Sequence, residues 1–215
     1  MKLVLSSNSP RRKELLAGLG VPFEIRVVPD IDESYPLSLP VHEIAQYIAK
    51  KKAAFYDISS DEILITADTI VVVDNTILGK PDNDSEARQM LTALSGKTHL
   101  VITGVCIMSL ERQRSFSVTT EVTFKDLSQE EIDFYIQHYH PFDKAGSYGI
   151  QEWIGYIGVT SIRGSYFNVM GLPIQRIYEE LTNVFKLNVL CPRTNGKDEN
   201  AKDTPDREKD ALLLT

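Results

Sequence analysis

At 215 residues, with 42% hydrophobic and 25% charged side chains, the chain has the composition of a globular protein, long enough for one large domain or two lobes sharing a cleft. Its formal charge of -7 argues against a general nucleic-acid-binding surface and leaves room only for a small, focused basic pocket. No apolar run approaches the roughly 18 residues of a membrane span, the opening MKLVLSSN is too short for a signal peptide, and Cys106 and Cys191 lie outside any C-x-x-C spacing, so the expectation is a cytoplasmic protein without membrane contact, disulfide framework or zinc knuckle.

In chain order the patterns alternate strand and helix, which predicts an α/β protein. KLVL opens as a strand. Ser9 then caps a helix with Pro10 at its first position and Leu15, Leu16 and Leu19 as its apolar stripe, and Gly20 ends it. PFEIRVVP reads as a second strand, leading into the acidic loop DIDESYP, and a helix follows from Val41 to about Tyr56. EILITADTIVVVDNTILGKP reads as a strand ending near Asp68, then a β-rich stretch turning at Asp74-Asn75. DNDSEARQMLTALSG is a capped helix ending at Gly96, and two long strands, THLVITGVCIMSLE and RSFSVTTEVTFKDL, follow as antiparallel neighbours. Ser128 and Glu131 form a capping box ahead of IDFYIQHY. The glycine- and aromatic-rich stretch from Asp143 to Pro173 implies close backbone approaches. A helix carrying Ile177, Leu181 and Phe185 comes next, then KLNVL as a closing strand. The expected body is residues 1–191, and 192–215, almost without apolar residues, reads as a flexible polar tail.

Several charged residues fall where these patterns call for something else. Arg11 and Arg12 occupy the first turn of the first helix, where the dipole and free N–H groups oppose cations by roughly 0.3–1 kcal/mol each. Either the arginines reach toward water or surface acids, or they join the N–H groups and the hydroxyls of Ser6 and Ser9 around an anion such as a phosphate. Lys52 continues the 44, 48, 52 face of its helix, so it either snorkels to water or faces a pocket. Asp68 interrupts a β-favouring run in which an uncompensated carboxylate costs several kcal/mol, which points to an edge, a bulge or a strand end opening onto a cleft. Lys80 lacks the spacing of a phosphate-loop lysine and reads as a turn residue. Asp30, Asp32 and Glu33 form a solvated acidic loop or supply oxygens to magnesium. His138 and His140 read as exposed residues near a helix end, and His42 and His99 have no visible partner. Together the cations, the acids and the one awkward aspartate are the mix that metal-assisted chemistry on a phosphate requires.

The segments SNSPRR, ADTIV, GKP, DKAGSYGIQ and GSYFNVMGLP occur in an order and spacing that resembles the Maf-like nucleotide pyrophosphatases, from Leu3 to about Val189. The resemblance implies a mixed twisted sheet with flanking helices, related to the inosine triphosphate pyrophosphatases, with two lobes around a deep cleft. It implies hydrolysis between the α- and β-phosphates, releasing a nucleoside monophosphate and pyrophosphate. The implied cofactor is a divalent cation, magnesium before manganese or cobalt. The proton acceptor falls at Asp68, the phosphate-contacting cations at Arg11, Arg12, Lys52 and Lys80, and the metal position at Glu33 with Asp68. The positions tied to base choice fall at Arg11, Thr69 and Gln151, and their identities look like the branch acting on dTTP and UTP, a house-cleaning hydrolase of acid anhydrides. The resemblance also implies a homodimer, and it leaves a second reading, a nucleotide-binding regulator of septum formation that does not cleave its ligand.

Overall fold

The computed structural model describes residues 1–190; the expected tail at 192–215 and Cys191 lie outside the described residues. Seven strands form one mixed sheet in the order β2-β1-β3-β5-β6-β7, with β4 paired to β3. β1 (Lys2–Ser6) lies parallel to both β2 (Phe23–Ile25) and β3 (Glu62–Val73). Beyond β3 every pairing is antiparallel: β4 (Thr76–Leu78), β5 (Thr98–Met108), β6 (Gln113–Phe124) and β7 (Val159–Arg163). The β3–β4 turn places Asp74 and Asn75 at φ 48° and 62°, the left-handed pair of a tight hairpin.

The period of two along β3 divides the core. Ile63, Ile65, Ala67, Val71 and Val73 face a layer built from α1 (Pro10–Ala17), α3 (Asp84–Leu94), α4 (Gln129–Tyr139) and α7 (Ile174–Asn183). Leu64, Ile70 and Val72 face the other way, onto α2 (Val41–Ala53) through Ile44, Ala45, Ile48, Ala49 and Ala53. Gly104 in β5 is why α2 sits so close: a Cβ there would lie 2.1 Å from Gln46 N and 2.2 Å from the Ala45 carbonyl carbon. Thr66 Oγ1, on the same face of β3, donates to Ala49 O at 2.6 Å and ties the helix down one turn further on.

Three expectations need correction. β3 does not end near Asp68; it runs unbroken from Glu62 to Val73, because the carboxylate that should interrupt it is neutralised by a partner across the α2 interface. The second strand shrinks to three residues, since its pairing with β1 stops at Ile25 and the chain peels away toward the cleft. No strand forms over residues 186–190; Val189 is instead buried in the core as irregular chain, and Lys186 at φ 56° breaks the extended run. The capping box at Ser128 and Glu131 is present with both hydrogen bonds.

A bidentate ion pair ties the parallel edge together. Arg26, just past β2, donates to both carboxylate oxygens of Glu62 at the start of β3, at 3.1 and 2.5 Å. Arg26, and a hydrogen bond from Ser59 N–H, pull the Glu62 carboxyl from 4.5 down to about 2. A carboxyl depressed on folding gives stability that is complete above the unfolded value and lost as the pH falls through the folded one. Stability should therefore decline between pH 4.5 and about 2 partly through Glu62, and Arg26→Gln should move the Glu62 titration, followed by carboxyl NMR, back toward 4.5.

Candidate active site

β1 pairs with β3 only as far as Thr66, and β4 takes up the same strand only at Val71. Residues 67–70 of β3 therefore lie in a gap between two neighbours, beside the carboxyl end of a parallel strand, where α/β sheets open crevices. A cleft of about 510 Å³ occupies this gap. Ser6, Ser9, Arg11, Arg12, Asp30, Glu33, Lys52, Asp68, Thr69, Lys80 and Gln151, all singled out from the sequence, line it, whereas Asp32 does not.

Asp68 sits directly opposite Gly104 in the β3–β5 register, on the α2 face of the sheet. The close seating of α2 carries Lys52, two turns beyond Ala45, to the same spot. Lys52 Nζ stands 2.8 Å from Asp68 Oδ1 and 2.8 Å from Glu33 Oε1, so the lysine faces the pocket and bridges both acids. Burial opposes ionisation of Glu33, but the hydrogen bond from Lys52 and the charges of Lys52, Lys80 and Arg12 outweigh it and hold that carboxyl below its usual range. Asp32, next in the acidic loop, points to Lys51 instead, at 2.7 Å.

The first-turn arginines resolve differently from one another. Arg12 folds back over the sheet, donating from Nε to Gly171 O at 2.7 Å, from Nη1 to Ala67 O at 2.9 Å and from Nη2 to Thr69 Oγ1 at 2.9 Å. Burial draws its guanidinium below the ordinary value, with the charge of Asp68 acting the other way. Three donors of the fork thus bind residues 67–69 of β3 to the 171 turn, and the other two N–H groups have no hydrogen-bond partner among the described residues. Arg11 Nη1 pairs with Asp143 Oδ2 at 2.8 Å across the cleft. Ser9 Oγ accepts from Arg12 N–H as the helix cap, and Ser6 Oγ donates to the Tyr56 hydroxyl at 2.6 Å, so both hydroxyls already have partners in the fold. Lys80 is exposed at the rim and makes no ion pair among the described residues.

Lys144 and Tyr148 lie within the segment DKAGSYGIQ, but no site role was expected of either. Lys144 is buried, with Nζ 2.7 Å from Asp143 Oδ1 and 3.0 Å from Glu152 Oε1. Tyr148 lines the cleft and its hydroxyl shares a 2.8 Å hydrogen bond with His99 Nε2, which corrects the expectation of a partnerless His99; burial takes that imidazole down to about 4, so it is neutral at pH 7. A cation pattern read from sequence finds Lys52 and Lys80 because they interrupt a stripe and a turn. Lys144 interrupts nothing, and its partners become visible only on folding. His42 is exposed beside Glu43, and His138 stacks on Phe134. Burial raises the Cys106 thiol to about 11, leaving it an ordinary core residue.

The model of the family described as Maf-like protein matches residues 2–184. The chain belongs to this family. A relative from Phocaeicola vulgatus described as a dTTP/UTP pyrophosphatase is 63% identical over 182 residues, covering 84% of this chain and 94% of the relative. Relatives with the same description from Bacteroides fragilis and Porphyromonas gingivalis are 57% and 52% identical, covering 84% and 87% of this chain and 94% and 96% of theirs. A solved Mycobacterium abscessus protein described as a nucleoside-triphosphatase or dITP/XTP pyrophosphatase overlays 59% of this chain and 76% of its own at 15% identity, with a TM-score of 0.41. The family match over residues 2–184 carries the fold assignment, and the sheet, the flanking helices and the deep cleft are those of a Maf-like protein. Among the described residues no helix is long and apolar enough to cross a membrane.

Proposed function

We propose that this Maf-like protein hydrolyses dTTP and UTP to the nucleoside monophosphate and pyrophosphate. The observation that carries the substrate assignment is Gln151: it lines the cleft that holds Asp68, and its Oε1 is buried with no hydrogen-bond partner among the described residues. A buried acceptor without a donor costs about 1–3 kcal/mol, so the site is built for a ligand that brings an N–H. Thymine and uracil offer one at N3, flanked by two carbonyl acceptors, one of which can take a hydrogen from the same amide. High identity to relatives described as dTTP/UTP pyrophosphatases supports the same reading.

Asp68 is the general base. Its Oδ1 is taken by Lys52, while Oδ2 has no hydrogen-bond partner among the described residues and opens to the cleft, where it can accept a proton from the water that attacks the α-phosphorus. Lys52, Lys80 and the free N–H groups of Arg12 stabilise the charge that grows on the phosphate oxygens and the leaving pyrophosphate, and Arg11 joins them by leaving Asp143. The α-phosphorus–bridging oxygen bond breaks, water supplies the new oxygen, and the proton passes to Asp68.

The donor set fits a divalent cation that brings most of its shell with it. No group of three or more His, Cys, Asp or Glu side chains among the described residues forms a metal cage, whereas magnesium ordinarily uses one or two carboxylates with phosphate and water. Glu33 would hold it through Oε2, which Lys52 leaves unused, with Asp68 as the second carboxylate beside it. Such a cation supplies charge neutralisation at the phosphates, and manganese or cobalt would serve the same donors.

The test is release of pyrophosphate from a panel of nucleoside triphosphates with magnesium, manganese or cobalt. dTTP and UTP should be the best substrates, and Gln151→Ala should lower kcat/KM for both by about tenfold, the value of one hydrogen bond in a dry site. Preferential consumption of a purine nucleotide would overturn the substrate assignment. Nucleotide binding without any pyrophosphate would favour the regulatory reading.

A further inference from the structure

Gln151 is an ambiguous reader by itself. An amide turned over presents its N–H to cytosine N3 and its carbonyl to the cytosine amine, so it pairs with cytosine as readily as with thymine. Discrimination then depends on how firmly the segment carrying it is held.

That segment is held from behind. Gly149 N–H donates to the Tyr135 hydroxyl at 3.0 Å, and the Tyr135 hydroxyl donates in turn to Glu152 Oε2. Glu152 Oε1 lies 3.0 Å from the buried Lys144 Nζ. Glu152 N–H closes the turn by donating to Gly149 O at 3.0 Å, and Gly155 N–H donates to Glu152 O at 2.9 Å. A Cβ at Gly155 would stand 1.8 Å from Ile150 O, so α5 (Trp153–Gly158) is pressed against the same turn. Burial and the bond to Glu152 raise the Tyr135 phenol well above its usual range, which keeps it a donor at any working pH. Residues 149 to 152 are thus fastened at both ends by a tyrosine, a carboxylate and a lysine, none of which the proposed chemistry employs.

The geometry points to Glu152, with Tyr135 and Lys144, as positioning residues for base recognition: they fix the Gly149–Glu152 turn so that Gln151 reads a pyrimidine with an N3–H and rejects one without. This rests on the proposed dTTP/UTP activity and deepens it.

The experiment measures kcat and KM for dTTP and dCTP in the parent, in Glu152→Gln, in Gln151→Ala and in the double variant, with thermal unfolding as a check on folding. Glu152→Gln keeps shape and removes the charge that receives Tyr135 and Lys144. It should lower the dTTP-to-dCTP ratio of kcat/KM about tenfold, less than the roughly 100-fold that a displacement of 1 Å can cost. The change should fall on KM for dTTP, with kcat within about twofold. Added to Gln151→Ala, it should change the ratio by less than about twofold, because residues that act through one another do not add. Tyr135→Phe, which deletes only the hydroxyl, should move the ratio in the same direction and keeps the test open if Glu152→Gln fails to fold. An unchanged ratio in a folded variant, or the full loss repeated on top of Gln151→Ala, overturns the positioning role and leaves the activity standing. A parent that does not prefer dTTP to dCTP overturns both.

Discussion

Asp68→Asn should retain nucleotide and lose turnover by roughly 10²–10⁴-fold, the contribution of a positioned general base. The amide keeps the size of the carboxylate and can still meet Lys52, whose second partner, Glu33, remains 2.8 Å away, so the cleft keeps its shape. What it cannot do is accept a proton from water at neutral pH. Single-turnover hydrolysis of dTTP alongside equilibrium binding separates the two effects. Turnover equal to that of the parent would assign the base elsewhere, and a matched loss of binding would make Asp68 a ligand-holding group.

The second large effect lies away from the reacting atoms. Gly104→Ala should destabilise the protein by about 1–3 kcal/mol, the usual cost of overpacking, and should depress kcat as well. A methyl group at position 104 would meet the backbone at Ala45 and Gln46 and force α2 off the sheet. Lys52 rides on that helix, so its reach to Asp68 lengthens as the helix lifts. Denaturant unfolding should show a lower midpoint. In folded protein the same substitution should lower kcat for dTTP with little change in binding of the base, whose proposed reader, Gln151, lies on a different segment. A destabilised variant with full kcat would show that the lysine finds its acid without the notch.

Much of the site was legible because function left irregularities in otherwise regular patterns. Arg11 and Arg12 stand where a helix start disfavours cations, Lys52 ends an apolar stripe, and Asp68 breaks a run of β-formers; each marks a local rule broken for a distant reason. The identity of the distant reason was not legible. Arg12, expected on phosphate, also clamps Gly171, Ala67 and Thr69 with three of its donors, partners 159, 55 and 57 positions away. Ser6 and Ser9, expected on the anion, also serve the fold: Ser6 Oγ donates to Tyr56, and Ser9 Oγ accepts from Arg12 N–H as the expected helix cap. Strand lengths depart from propensity where tertiary context overrides it: β3 continues through its aspartate because Lys52 compensates it, and β2 stops early because the chain leaves the edge of β1 after Ile25. Lys144, Glu152 and Tyr135 occupy unremarkable places in their own segments, and only the folded chain makes them one network.

The pairing of Arg11 with Asp143 carries a wider meaning for the electrostatics of the cleft. Five basic side chains on its wall, Arg11, Arg12, Lys52, Lys80 and Lys144, face four acidic ones, Asp30, Glu33, Asp68 and Asp143. The cavity wall is close to electroneutral within a molecule of net charge -7, so it exerts little pull on anions across a Debye length. An arriving phosphate therefore exchanges counter-ions with the wall and gains only the difference between two pairings. Small inorganic anions offer too few contacts to win that exchange, and admission goes to a ligand that engages both ends of the groove at once.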